Sequence, residues 1–469
     1  MIDDRKTSRA LLGTLQVTSV KPVVIFVLML GLAALVAFVP TYSGMPDSAR
    51  ATFFILLLAA GLWVSEAIPA FAVGLLVIAL EIAILGRPGG VFAEEAGDWT
   101  MFVQPWSSPI IWLFFGGFVL AEAASKTGLD VWFSSRVLKR FGTQPKFVLL
   151  GVMSITFCFS MFISNTATAA MMMAVIAPLA SRLDANDRFR KALLLGVPFA
   201  ANIGGMGTVI GSPPNAIAAG QLAETQTIHF LDWMFLGLPP ALLLIAGIWA
   251  FLIIRYPAST QTLEMKAKKN ETTPDRPLWE RLLVMGTFFV TVFAWLAEPL
   301  HGIPTPVISF IPITVFSVFQ ILNAVDIRRL PWEVLLLLSG GLSLGVAVSQ
   351  TGLADWLGAQ LSGNHQTPFI MALIIAYACS LLSNFMSNTA AANILIPIGL
   401  ALAGSMERQF VVPIALAASS AMCLPVSTPP NAIAFSKGDL SSKDFLPGGL
   451  LVGIIAPLLS VAWCWWLLS

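Results

Sequence analysis

Apolar runs of similar length, separated by short polar stretches, follow one another along the whole chain. The first is Val23 to Pro40, and others occupy 51–64, 68–86, 107–124, 192–210, 233–254, 282–298, 304–322, 333–349, 409–426 and 446–468. Most lie near the roughly 20 residues that an α-helix needs to cross a bilayer, so the pattern predicts an all-α integral membrane protein with about eleven transmembrane helices. Two regions, 146–181 and 367–404, are each too long for one crossing and carry Ser-Asn-Thr near the middle. These are read as two re-entrant hairpins that enter and leave on the same side. The first run follows Arg5, Lys6, Arg9 and Lys21, as a signal peptide would. It is long for a signal sequence and no small-residue cleavage pattern follows, which makes it the first span.

Composition sharpens this picture. The chain is 57% hydrophobic and 11% charged, against about 25% charge in soluble domains, which excludes a soluble enzyme, a secreted scaffold and a disordered adaptor. Thirty prolines and 36 glycines in such apolar material predict interrupted helices, tolerated in a bilayer only where protein or water covers the broken backbone. That points to a transporter or channel. The net charge of +1 gives no reason to expect nucleic acid or an anionic surface as a partner. Cys158, Cys379, Cys423 and Cys464 lie in apolar stretches without metal-ligand spacing, so neither a disulfide framework nor a zinc site is expected. With a cytoplasmic N-terminus, only Arg50, Arg87 and Arg408 of the 26 lysines and arginines fall in outside segments, which satisfies the positive-inside rule and puts the C-terminus outside.

Three blocks recur in order along the chain. Gly116-Gly117, Thr127-Gly128-Leu129 and Trp132 correspond to Gly340-Gly341, Thr351-Gly352-Leu353 and Trp356. Ser160 to Thr166 (SMFISNT) corresponds to Ser383 to Thr389 (SNFMSNT), and Ser212-Pro213-Pro214-Asn215 to Thr428-Pro429-Pro430-Asn431. Upstream, Trp63 and Glu66 align with Trp295 and Glu298. The organisation that follows is an N-terminal segment with the first span (1–50), a first repeat (51–254) holding the 146–181 hairpin, a cytoplasmic linker (255–278) and a second repeat (279–469) holding the 367–404 hairpin. Each repeat contains five full crossings, an odd number, so the second is inverted relative to the first. Inverted-topology repeats with broken helices that meet near the midplane are typical of secondary transporters.

The chemistry of these blocks agrees. Ser, Asn and Thr favour helix N-caps and would be costly in mid-segment unless one half-helix ends there and another begins. The second half-helix then turns its free N–H groups and partial positive charge toward the pocket. Pro-Pro-Asn acts similarly, since proline removes donors and leaves carbonyls unpaired. Each repeat can thus supply one helix start for an anion and oxygen ligands for a small, hard cation. A single Ser-Asn-Thr is most often an ordinary cap or an interhelical hydrogen bond; two in register with duplicated Pro-Pro-Asn breaks are not.

In these motifs nearly the whole chain resembles the divalent anion:sodium symporter family, which carries dicarboxylates, tricarboxylates or sulfate. The resemblance implies a homodimer with a scaffold and a transport domain, the latter moving as an elevator. It implies one Na+ site at Ser160, Ser164, Asn165 and Gly211, and another at Ser383, Met386 (through its carbonyl), Asn388 and Ser427. Substrate carboxylates would be held by Asn165, Thr166, Asn388 and Thr389, with Ser212-Pro213 and Thr428-Pro429 closing the site. The expected function is sodium-coupled import of succinate, fumarate or malate across a bacterial-type inner membrane. A sodium-independent organic-anion exchanger of the same fold is the alternative, followed by an anion channel. No paired catalytic carboxylates, Ser/His set or metal cluster appears in the spans, so no enzyme is expected. Glu81 and Glu122 lack repeat counterparts and are read as interfacial or hydrogen-bonded structural residues, as are Glu66 and Glu298 near span-junction prolines. His229, His301 and His365 are read as loop residues, and Trp463, Trp465 and Trp466 as an interfacial aromatic belt.

Overall fold

The computed structural model describes residues 4–184, 187–223, 226–263, 276–361 and 367–469. His365 and half of the expected 255–278 linker, residues 264–275, lie outside the described residues. Every regular element among the described residues is helical, as a chain of apolar runs requires where no water can satisfy a backbone group. Among the described residues, seven helices are long and apolar enough to cross a membrane: Val20–Phe38, Asp47–Ser65, Thr100–Thr127, Phe230–Arg255, Leu278–Leu296, Trp332–Gln350 and Ser442–Leu468. Shorter apolar helices follow at Ala70–Gly86, Pro145–Ser160, Asn165–Ala180, Thr305–Val318, Pro368–Leu382 and Asn388–Ala403.

The chain divides into two compact units, and each draws on both halves of the sequence: residues 1–106 with 336–364, and 107–335 with 365–469. In the first unit, Gly74 and Gly340 bring two helices into backbone contact; a Cβ on Gly340 would lie 2.3 Å from the Gly74 Cα. Glu81 opens a π-helical turn, Glu81–Gly86, and is fully buried. It is hydrogen-bonded to Ser343, whose Oγ also lies 2.8 Å from the Phe102 carbonyl. Thr52 and Thr351 share a hydroxyl bond of 2.8 Å nearby. Glu81 therefore ties helices together, the structural role its lack of a counterpart implied.

The second unit holds both Ser-Asn-Thr regions. Each is a helix, a break and a helix: Pro145–Ser160 then Asn165–Ala180, and Pro368–Leu382 then Asn388–Ala403. A leading proline sits where its missing N–H costs nothing. At about 1.5 Å per residue, helices of 15 or 16 residues fall short of a hydrocarbon core of roughly 30 Å, and the two helices of each pair pack against one another, as in hairpins whose tips are the Ser-Asn-Thr breaks. The crossings expected at 192–210 and 409–426 are corrected by the structure. Helix Phe189–Gly204 stops, a loop with a single 3-10 turn follows, and helix Pro213–Leu222 resumes. Likewise Glu407–Ala418 gives way to Pro429–Phe435. Hydrophobicity continues through each break, with Met206, Val209 and Met422 buried, and that is why the apolar pattern runs past the true helix end.

Four of the other polar residues hold helix ends or neighbouring helices. His229 caps helix Phe230–Arg255 in a box with Asp232, and its Nδ1 lies 3.3 Å from Glu298 Oε1. His301 Nδ1 accepts from Ile303 N at 3.0 Å, which leaves Nε2 to donate to the Ala294 carbonyl at 2.9 Å. Glu66 takes the left-handed C-cap position after helix Asp47–Ser65. Trp463 Nε1 donates to the Phe235 carbonyl at 2.9 Å.

Candidate functional site

In both hairpins the serine of Ser-Asn-Thr is the cap and the asparagine is the first helical residue. Ser164 Oγ accepts from Ala167 N, and Ser387 Oγ from Ala390 N, each at 3.2 Å. The capping duty of the motif thus falls on its serine alone, which frees Asn165, Thr166, Asn388 and Thr389 to line a site. Thr166 is exposed; Asn165, Asn388 and Thr389 are half-buried.

At the first tip, Ser160 Oγ lies 2.6 Å from Asn165 Oδ1 and 2.7 Å from the Ala201 carbonyl. The Asn165 oxygen faces only acceptors in this orientation. Turned over, the amide nitrogen would donate to Gly211 O and Ala201 O at 3.2 Å and to Ser160 Oγ at 2.6 Å. With the oxygen inward, two carbonyls, a hydroxyl and an amide oxygen converge with one hydroxyl proton among them, an arrangement that a cation makes favourable. Glycines permit the approach. A Cβ on Gly205 would meet the Asn165 amide at 2.8 Å, and one on Gly211 would meet Gly205 O at 2.6 Å. Ser160, Asn165 and Gly211 are therefore brought together, while Ser164 stands beside them as the cap.

The second tip differs. Ser383 Oγ and Asn388 Oδ1 are buried with no hydrogen-bond partner. An unpaired buried polar atom costs about 1–3 kcal/mol. Ser427, the fourth expected ligand, is held by Asn384: its Oγ lies 3.1 Å from both Asn384 O and Asn384 Oδ1. Met386 is buried beside them in sequence.

The Pro-Pro-Asn loops are built alike. Asn215 Nδ2 donates to the Gly205 and Thr208 carbonyls at 2.8 and 2.7 Å, and Asn431 Nδ2 to those of Met422 and Leu424 at 3.1 and 2.9 Å. Each asparagine thus pins the loop that precedes its helix. The helices then interlock. Pro429–Phe435 packs against Asn165–Ala180 and Phe189–Gly204 of the first half, and Pro213–Leu222 against Asn388–Ala403 and Glu407–Ala418 of the second. Thr428 Oγ1 accepts from Asn202 Nδ2 at 3.0 Å, and Ser212 Oγ from Ser419 Oγ at 3.3 Å. Both hydroxyls are buried and engaged in holding the loops, so they shape the site from behind, while Pro213 and Pro429 are half-buried and exposed, respectively.

Asn202, Gly205, Ser419 and Asn384 were not legible as site residues from sequence. Asn384 had a signal: inside a matched block it stands where the first repeat has Met161. Asn202 had only its polarity within an apolar run. No Lys or Arg occurs in 160–168, 205–216, 383–390 or 421–432, so an anion here meets helix N-termini, amides, hydroxyls and any bound cation.

The sodium:sulfate symporter transmembrane region matches residues 20–468. Among curated relatives, the sodium-dependent dicarboxylate transporter SdcS of Staphylococcus saprophyticus is 32% identical over 432 residues, covering 84% of this chain and 81% of its own. The SdcS protein of Staphylococcus aureus is 31% identical over 440 residues, covering 85% and 82%. Among solved structures, the Alcanivorax borkumensis YdaH transporter covers 90% of this chain and 98% of its own with a TM-score of 0.54 at 14% identity, which speaks to the fold alone.

Proposed function

Because the chain belongs to the sodium:sulfate symporter family, the divalent anion:sodium symporters that its repeats resemble, we propose that it is a sodium-coupled importer of small dicarboxylates such as succinate, fumarate or malate. It is a membrane transporter and not an enzyme. The observation that carries the proposal is the pair of hairpin tips, each joining buried oxygens to the N-terminus of a half-helix. Relatives named as sodium-dependent dicarboxylate transporters support the choice of ion and substrate.

In this reading the oxygens of Ser160, Asn165, Ala201 and Gly211 take one Na+, and those of Ser383, Met386, Asn388 and Ser427 another. Ser164 contributes to the first site from its capping position. An asparagine amide with its oxygen turned to the ion turns its nitrogen the other way, toward a substrate carboxylate. Thr166 and Thr389 add hydroxyl donors, and Ser212-Pro213 and Thr428-Pro429 close the site. A dianion without a lysine or arginine beside it is costly to bury; helix N-termini and two bound cations offset that cost. If more sodium charge than substrate charge moves per cycle, the membrane potential adds about 2.3 kcal/mol per net charge per 100 mV.

The hairpins and broken helices would move together in an elevator-type cycle of a homodimer, in a bacterial-type inner membrane with the N-terminus cytoplasmic and the C-terminus outside. The test is uptake of labelled succinate by proteoliposomes. Uptake should require sodium, rise with an inside-negative potential and vanish when choline replaces sodium. Sodium-independent uptake that needs an anion inside the vesicle would establish an exchanger instead.

A further inference from the structure

Two neighbouring residues of helix Phe189–Gly204 face different halves of the site. The Ala201 carbonyl accepts from Ser160 Oγ at 2.7 Å and belongs to the oxygen cluster of the first tip. Asn202, 1% exposed, sends its amide across to the second repeat, where Nδ2 donates to Thr428 Oγ1 at 3.0 Å and to Asn431 Oδ1 at 3.3 Å. Asn431 in turn pins the Met422 and Leu424 carbonyls. Ser427 Oγ, on the same loop, lies 3.1 Å from Leu424 N. A continuous path of hydrogen bonds thus runs from the first cation cluster, through one peptide unit, to the loop that carries a ligand of the second.

The Asn202 side chain is committed to this task at a cost, because its Oδ1 is buried with no partner. A buried amide that satisfies one end and leaves the other unpaired gives up part of the stability a fully paired one would contribute. The path is also short. The Ala201 carbonyl and the Asn202 Cα belong to one planar peptide unit, so a shift of this helix end that draws the Ala201 carbonyl toward an ion carries the Asn202 side chain with it.

We propose that Asn202 is the positioning residue that couples the two cation sites, so that filling the first-repeat cluster sets the geometry of the Thr428 loop and thereby favours filling the second. The inference rests on the two-site transport reading above. Its consequence is cooperative sodium dependence that belongs to a contact between repeats and to no ligand of either ion.

The experiment is sodium-dependent succinate uptake by proteoliposomes containing the full chain, unaltered or Asn202→Ala, with initial rates measured against sodium at saturating succinate and against succinate at saturating sodium. In the unaltered protein the sodium curve should be sigmoidal. In Asn202→Ala the curve should become less steep, falling to the shape expected of two independent sites, and its midpoint should rise about fivefold, within the range by which residues that touch neither ligand alter coupling. The KM for succinate at saturating sodium should stay within twofold. If Asn202→Ala does not reconstitute, Asn202→Ser, which keeps a donor on Cβ, is measured in its place with the same criteria at a smaller shift. A variant that keeps the full steepness of the unaltered curve and its midpoint, or that raises KM while leaving the sodium curve alone, would overturn the coupling role and leave the transport reading standing. Absence of sodium-stimulated uptake in the unaltered protein would instead overturn the transport reading itself.

Discussion

The two Ser-Asn-Thr tips share a cap, a helix start and a Pro-Pro-Asn partner, yet their polar atoms are spent differently. At the first, Ser160, Asn165 and the carbonyls of Ala201 and Gly211 already touch one another. At the second, Ser383 and Asn388 are not bonded to one another, and Asn384 takes over the contact to the Pro-Pro-Asn loop through Ser427 and the Cys423 N–H. The first tip is joined by hydrogen bonds within itself, and the second is not. Duplication therefore conserved the backbone device, a capped half-helix beside a pinned loop, and left the side-chain wiring free to diverge.

The strongest way to break this comparison is to remove the asparagine from each tip in turn. Asn165→Ala and Asn388→Ala should each abolish succinate uptake in proteoliposomes while the purified protein still melts cooperatively, because each removes an oxygen aimed at an ion and an amide aimed at the substrate. Near-normal uptake by either variant would mean that the tip concerned is an ordinary hydrogen-bonded turn.

The next largest effect is expected where the repeats differ in size. Gly205 and Gly211 align with Ala421 and Ser427, so the second repeat tolerates side chains where the first cannot. Gly211→Ser copies the second repeat into the first, and its Cβ would lie 2.6 Å from the Gly205 carbonyl. Overpacking of this kind costs about 1–3 kcal/mol, and the displaced carbonyl belongs to the loop that Asn215 pins. Uptake should fall at least tenfold and the sodium midpoint should rise; wild-type sodium dependence in Gly211→Ser would show that the first cluster can open without loss.

These pairs also mark how far the sequence could be read. Caps, breaks and hairpins were legible because each depends on chemistry within a few residues: Ser164 to Ala167, Pro213 at a helix start, Asn215 against carbonyls no more than ten residues away. The extent of the broken helices was not, since buried Met206 and Val209 keep the apolar pattern going where the backbone has left the helix. Nor was the interlock of the repeats. Asn202 and Thr428 are 226 residues apart, and nothing local in either segment identifies the other as its partner.

Asn384 offers a smaller and sharper test. It stands where the first repeat has Met161, and its amide bonds the Ser380 carbonyl, the Cys423 N–H and Ser427 Oγ at 2.8, 2.9 and 3.1 Å. Asn384→Met makes the second tip resemble the first in sequence while removing all three bonds, each worth about 1 kcal/mol. The melting temperature should drop and added sodium should restore less of it than in the unaltered protein. An undiminished sodium-dependent rise would show that Ser427 does not depend on Asn384 for its place.

The smallest effect lies outside the tips, at the ends of the matched helices Pro109–Thr127 and Trp332–Gln350. The first carries Lys126, whose Nζ lies 2.5 Å from Asp326 Oδ2; the aligned position in the second is Gln350. Burial pushes the Asp326 carboxyl up, but hydrogen bonds from Lys126 and the Asn323 N–H, with the nearby Lys126 and Arg329 charges, outweigh it and hold the group below the usual carboxylate range. A carboxyl lowered by folding stabilises the folded state above its unfolded value, about 3.9, and loses that contribution as pH falls through the lower folded value. Lys126→Gln, which again copies the second repeat into the first, should therefore lower stability by no more than about 1 kcal/mol at neutral pH. The gap between the unfolding curves of the two proteins should stay constant down to about pH 4 and close below it. A gap that persisted unchanged at pH 2 would place the effect in the packing of the lysine stem and remove the ion pair from the account.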